Sequence, residues 1–255
     1  MSGSQADSRT AGRATYWAAG TAVLLALLFA VAATVAAASG GDGSAAPART
    51  PAQDSPDAGF ARDMAVHHQQ AVEMSFIVRD RTQDEAVRTL AYDIANTQAN
   101  QRGMLLGWLD LWGLPKVVAD RQPMAWMAAP EGGAGTTGHA GHGDHSGHGD
   151  HSEHDMGGGH DMGGVAAKPG ALMPGMATKE ELTALGAAGG RDAEVLYLQL
   201  MTDHHKGGVA MAQGCADRCA TPAERALAQG MVEAQQSELA LMADLLRQRG
   251  AAPRG

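Results

Sequence analysis

The chain is poor in several residue types, and each shortage excludes something. Aromatics make up 4% of its 255 residues, which argues against a β-sandwich or barrel, folds that lean on aromatic and β-branched side chains. Lysine and arginine number 19 against 28 acidic residues, a net charge of −9. That balance argues against nucleic acid, whose phosphates demand a basic face. There are two cysteines, Cys215 and Cys219, too few for a disulfide-built scaffold. Neither a phosphate-binding loop nor a G-x-S-x-G elbow is present, and no His-Glu-x-x-His occurs. The hairpins described below also lack Glu-x-x-His, and with it the usual carboxylate di-iron ligands. No catalytic constellation emerges, so a binding protein is expected rather than an enzyme.

One long uncharged apolar run exists, residues 16–38, rich in Ala, Leu and Val. It is long enough to span a bilayer, which needs roughly 20 such residues. Arg9 and Arg13 precede it and Asp42 is the first charge after it, so the positive-inside rule leaves residues 1–40 as cytoplasmic end and anchor. Everything that follows is then exported, as a single-pass bacterial membrane protein. The Ala36-Ala37-Ala38 run also resembles a signal-peptidase site, in which case the product is secreted. Either way the cysteines enter an oxidising compartment. Their i, i+4 spacing is compatible with a disulfide, with inert thiols, or with a soft-metal thiolate pair.

Residues 41–56 read as a Gly/Ser/Pro tether. Beyond it, shifting the chain by 137 residues without a gap superposes 60–114 on 197–251. Met64 falls on Met201, His67-His68 on His204-His205, Met74 on Met211, Gln98 on Gln235 and Gly113 on Gly250. This is the mark of a duplicated unit, 57–114 and 191–251. Each copy reads as a helical hairpin. The first helix runs from about Asp57 to Asp80 with a Met/His/Ala/Val stripe. Thr82 with Glu85 reads as a capping box opening the second, which carries Leu90, Ile94, Gln98, Leu105 and Leu109 and stops at Gly113. Thr221, followed by Pro222 and Glu224, restarts the chain at the matching place in the second copy. Four apolar stripes predict an all-α, ferritin-like four-helix bundle built from two duplicated hairpins, with the N-terminal transmembrane helix outside it.

Residues 115–190 are too long for a bundle loop. Thr178 to Glu181 is another capping box, predicting a short helix near 178–188. Upstream of it, His139, His142, His145, His148, His151, His154 and His160 hold seven of the chain's eleven histidines, interspersed with Asp, Gly, Met156 and Met162. Such a polar, Gly-rich linker cannot order itself through apolar burial and is expected to be disordered without metal. Its overlapping imidazole and carboxylate sites suit weak, high-capacity binding, in which zinc or nickel serves as well as copper.

The hairpins offer a more specific set. On a helix, adjacent His67 and His68 point about 100° apart, so one is expected inside the bundle and the other at its rim. Met64 and Met74 place thioether sulfur along the same stripe, and the second copy repeats the set as Met201, His204, His205 and Met211. Imidazole suits several transition metals, whereas thioether singles out Cu(I). Gln98, Gln235, Gln101 and Glu238 lie on the second helices, placed to hydrogen-bond across the bundle or to support a histidine.

The motifs Phe60-x3-Met64-x2-His67-His68-x2-Ala71-x2-Met74, Met201-x2-His204-His205-x-Gly207-Gly208-x2-Met211, Met173-Pro174-Gly175-Met176 and Gln235-Gln236-x-Glu238-Leu239-x2-Met242 resemble a bacterial family. That family is catalogued as a domain of unknown function and includes CopM-like periplasmic copper-binding proteins. The resemblance covers about 57–114 and 172–250. It implies a ferritin-like bundle that binds copper, as Cu(I), Cu(II) or both, through Met64, His67, His68, Met74, Met201, His204, His205 and Met211. The sequence departs from the pattern at Gln101, which stands where the second copy has Glu238, and in the long His-rich insert. The leading expectation is copper binding or buffering outside the cytoplasm, for copper homeostasis or resistance. A metal-dependent Cu(I) oxidase and an envelope interaction protein with incidental histidines are the competing readings. A homo-oligomer or a copper-trafficking partner is compatible with each.

Overall fold

The computed structural model describes residues 50–128 and 167–254. The expected membrane helix at 16–38 and the histidine tract at 139–162 therefore lie outside the described residues. Within them are five α-helices and no strand: α1 (Pro56–Arg79), α2 (Glu85–Leu111), α3 (Lys179–Ala187), α4 (Gly190–Arg218) and α5 (Pro222–Gln248). Among the described residues no helix is long and apolar enough to cross a membrane.

Helix α1 pairs with α2, and α4 with α5, as two hairpins. The hairpins meet through α1 and α4, which run antiparallel, so each of these central helices is covered on two sides. Burial follows from that arrangement. One apolar cluster joins the start of α1 to the end of α4, through Phe60, Met64, Leu105, Leu109, Met211 and Met231. A second joins the end of α1 to the start of α4, through Met74, Ile94, Leu198, Met201, Met242 and Leu246. Between the two clusters lies a polar layer.

The helix ends show which sequence signals carry weight. Both hairpins close with the same C-terminal motif: Gly113 and Gly250 take φ of +65° and +63°. The N–H of Leu114 reaches the carbonyl of Leu109, and that of Ala251 the carbonyl of Leu246, each at 2.9 Å. The capping box at Thr178 forms as expected, with its hydroxyl and Glu181 exchanging bonds with each other's backbone. The capping box expected at Thr82 does not form. Thr82 is buried and its hydroxyl donates to Glu194 on α4, while the Asp84 carboxylate caps α2 at Val87 N. Thr221 precedes Pro222 as expected but makes no side-chain cap bond.

The segments flanking α1 are held down. Arg62 donates to the carbonyls of Gln53 (2.8 Å) and Pro115 (2.7 Å), so the end of the expected tether and the start of the expected insert are both pinned to α1. Asp63 accepts from Met124 N and from the Trp126 indole, and Trp126 packs edge-on against Phe60. Gly59 makes room for it: a Cβ there would lie 2.5 Å from the Trp126 ring.

Candidate metal centre

The polar layer at the α1–α4 crossing contains His67, His68, His204 and His205, all at 0% exposure. None of these four sits at a rim. His67 and His204 face each other across the crossing, their ring centroids 3.8 Å apart, and His204 and His205 lie 6.2 Å apart. His68 turns toward α2 and His205 toward α5. Both members of each tandem pair are covered because each central helix has a neighbour on either side.

Hydrogen bonds settle how three of the rings are protonated. A carbonyl can only accept, so His67 Nε2–H donates to Pro174 O at 3.3 Å and His204 Nε2–H donates to His67 O at 2.9 Å. His205 Nε2 is 2.6 Å from the Glu238 carboxylate and donates in the same way. In a neutral imidazole the other nitrogen then carries a lone pair. Those other nitrogens, Nδ1 of His67, His204 and His205, have no protein partner, and neither does either nitrogen of His68. Such orphaned buried groups are rare in proteins and cost on the order of 1–3 kcal/mol each.

Burial also keeps His67, His68 and His204 neutral. It lowers His67 to about 4, against an opposing pull from Pro174 O. His68 falls to about 3, through burial and then the neighbouring His67, with Gln101 and Gln98 opposing. Burial, followed by the charges of His67 and His205, pushes His204 well below its ordinary value. Neutral imidazoles with free lone pairs, backed by carbonyl acceptors on the opposite nitrogen as in His67 and His204, are the donor arrangement transition metals use. The residues fit a borderline or soft ion.

The methionines flank this layer. Met64 and Met211 are fully buried in one apolar cluster, Met74 and Met201 in the other. The fold thus puts the four expected histidines in one layer and the four expected methionines just above and below it. Gln98 and Gln101 lie beside His68, and the buried Gln98 side chain has no hydrogen bond of standard geometry. Gln235 lies against Gly208, where a Cβ would come 2.4 Å from its Oε1.

A strap at residues 173–177 crosses the layer, and sequence reasoning noted its motif without finding its role. Gln70 on α1 holds Ala177 through both amide atoms, accepting from N at 2.7 Å and donating to O at 2.9 Å. On the other side Gly207 lets the strap touch the α4 backbone, since a Cβ there would lie 2.1 Å from Pro174 O. The signal was the Gly207-Gly208 pair, out of place inside a helix unless something approaches closely. The strap's Pro174 carbonyl is the group that orients His67.

Elsewhere, Cys215 and Cys219 form a disulfide with Cα atoms 4.8 Å apart. Among the described residues, the one group of three His, Cys, Asp or Glu residues with converging donor atoms is Cys215, Cys219 and Glu224, within 4.8 Å of one another. The histidine nitrogens neighbour one another without converging to that degree.

The family described as Domain of unknown function (DUF305) matches residues 57–246. No curated protein matches the chain. Among solved structures, a DUF305 protein from Streptomyces coelicolor described as secreted is 54% identical, over 80% of this chain and 99% of that one, with a TM-score of 0.62. A DUF305 fragment from Deinococcus radiodurans is 25% identical, over 76% and 96%, with a TM-score of 0.52. CopM in a Cu(II)-bound form is 20% identical, over 75% and 96%, with a TM-score of 0.46.

Proposed function

The chain belongs to the DUF305 family, and from that premise we propose that it is an extracytoplasmic metal-binding protein whose cargo is copper, taken up at the layer of four buried histidines. The observation that carries this reading is the set of orphaned ring nitrogens on His67, His68, His204 and His205, inside a core that has no other use for them. Nδ1 of His67, His204 and His205 would be the first donors, because their Nε2–H groups are already committed. Met64, Met74, Met201 and Met211 border the layer and add the thioether that favours Cu(I) over Zn(II). Glu238 supports His205 from behind, which raises the basicity of the ligating nitrogen.

Export is supported by the charge pattern around residues 16–38, by the disulfide, and by the secreted description of the Streptomyces coelicolor relative. Residues 16–38 then act as a membrane anchor, or as an export signal if they are cleaved. The histidine tract at 139–162 adds a shallow reservoir in which copper, zinc and nickel compete. Competitive titration of residues 41–255 with Cu(I), Cu(II) and Zn(II) tests the reading. One tight copper site that survives deletion of 139–162 is expected. Copper binding no stronger than that of a variant lacking the four layer histidines would refute it.

A further inference from the structure

At the α4–α5 turn, the duplication has replaced packing residues with chemically active ones. The same 137-residue shift that aligns the histidines sets Cys215 on Val78, Cys219 on Thr82 and Glu224 on Val87. All six are buried. The first hairpin shows that Val, Thr and Val fill this place adequately, so the fold itself does not require sulfur or a carboxyl there.

The surrounding charges differ in the same sense. Asp57 corresponds to Glu194 under the shift. Glu194 is neutralised by Arg249, whose Nε lies 2.7 Å from it. Among the described residues neither Asp57 nor Glu224 has an ion pair with a basic side chain. Asp57 instead accepts from Ala220 N (3.0 Å) and Thr221 N (2.7 Å), which outweigh burial and hold its carboxyl below the ordinary range. Glu224 is 0% exposed and neither of its oxygens has a donor. Burial, then the charge of Asp57 and a side-chain hydrogen bond with it, push it up to about 9, so it holds a proton at neutral pH. A fully buried carboxyl thus lies within 4.8 Å of two sulfurs, in a place where the equivalent turn has a cation.

We propose that Cys215, Cys219 and Glu224 form a second metal site, closed while the cysteines are a disulfide and opened by reduction to take a thiophilic divalent cation such as Zn(II) or Cd(II). Opening consumes a dithiol reductant. One of its thiolates attacks a sulfur, the sulfur–sulfur bond breaks, and its second thiol resolves the mixed disulfide. Cys215 and Cys219 gain two electrons and two protons, and the reductant leaves as a disulfide. A divalent cation then displaces both thiol protons and the proton on Glu224 to solvent. Thiolate and carboxylate are each ligands such an ion takes, and Asp57 stays on its backbone donors as a nearby negative charge.

The thiolate-to-Cd(II) charge-transfer band tests this, because imidazole does not produce it and neither the histidine layer nor the tract interferes. Anaerobic titration of the reduced full chain with Cd(II) should develop the band to one equivalent, and the disulfide form should show none. Paired substitution C215V/C219T copies the first hairpin, should fold, and should abolish the band. Glu224→Gln should keep the band with affinity lowered at least about tenfold. A reduced chain that loses its helical circular dichroism, or stays folded without a band, would overturn the proposal. So would a band that survives C215V/C219T.

Discussion

Three of the four buried imidazoles have one nitrogen committed to an acceptor and the other free, and that asymmetry sets what substitutions should do. Replacing His67 and His204 together removes two of the layer's four rigidly held donors, so copper affinity should fall by at least about tenfold. Replacing His145 and His148 in the redundant tract should leave the tightest site nearly unchanged, as isothermal titration would read. Met64→Leu with Met201→Leu conserves volume, should cost less than about 1.5 kcal/mol of stability, and should weaken Cu(I) more than Zn(II). The metal-free protein should also show two opposed pH slopes. His67 and His68 stay neutral in the fold down to about 4 and 3 but protonate near 6.5 when unfolded, so stability falls as pH drops through that window. Glu224 keeps its proton up to about 9 in the fold and loses it near 4.5 when unfolded, so stability falls as pH rises between those values. Each slope approaches about 1.4 kcal/mol per pH unit per group. Denaturant midpoints across pH should show the alkaline slope flatten in Glu224→Gln, and a slope unchanged by that substitution would contradict the buried protonated carboxyl. The tandem histidines were readable from repetition alone. Their joint burial was not, because it depends on α1 and α4 each having a helix on both sides. Asp57 and Glu224 were missed because their pairing spans 167 positions of sequence.

At the scale of elements, local signals proved reliable where the cap is local and failed where a distant partner competes. Gly113, Gly250 and the Thr178 box involve only neighbouring residues, and all three end or start helices where the sequence places them. Thr82 loses its capping role to Glu194, 112 positions away, and Asp84 takes over the end of α2. The strap at 173–177 shows the same limit, since its docking onto Gln70 and Gly207 joins segments with no sequence proximity. Gly207→Ala tests the strap. The added Cβ would lie 2.1 Å from Pro174 O, so backbone must move, at about 1–3 kcal/mol. Against the small helix-propensity gain of Ala over Gly, net destabilisation is expected in thermal melts. Copper binding should change too, because the displaced Pro174 carbonyl no longer fixes the His67 tautomer. A variant as stable as the parent, with unaltered copper affinity, would mean the strap neither packs on α4 nor orients His67.

For the whole molecule the question is how a folded layer with few donors and a histidine tract of many donors divide the metal. Among the described residues, the two apolar clusters enclose the layer chiefly with side chains of the helices, the strap and the segment around Trp126. The segment 139–162 lies outside these described residues. Deleting that segment should therefore leave the far-UV circular dichroism of the helices unchanged, and a large loss of helix would mean the tract contributes to the fold. The metal count should respond differently. Seven histidines at close spacing offer several overlapping shallow sites with no preorganised geometry, so each ion ordered there must offset the entropy of fixing the chain. The layer has already met that cost during folding, and its rings are buried and oriented, with His67, His68 and His204 neutral, before any ion arrives. Affinity should accordingly belong to the layer and capacity to the tract. Deletion of 139–162 should lower the number of copper ions bound while the tightest dissociation constant moves by less than the tenfold expected for His67 with His204. If the tightest site instead disappears with the tract while the helices stay intact, the layer histidines are structural and copper is held by the tract alone.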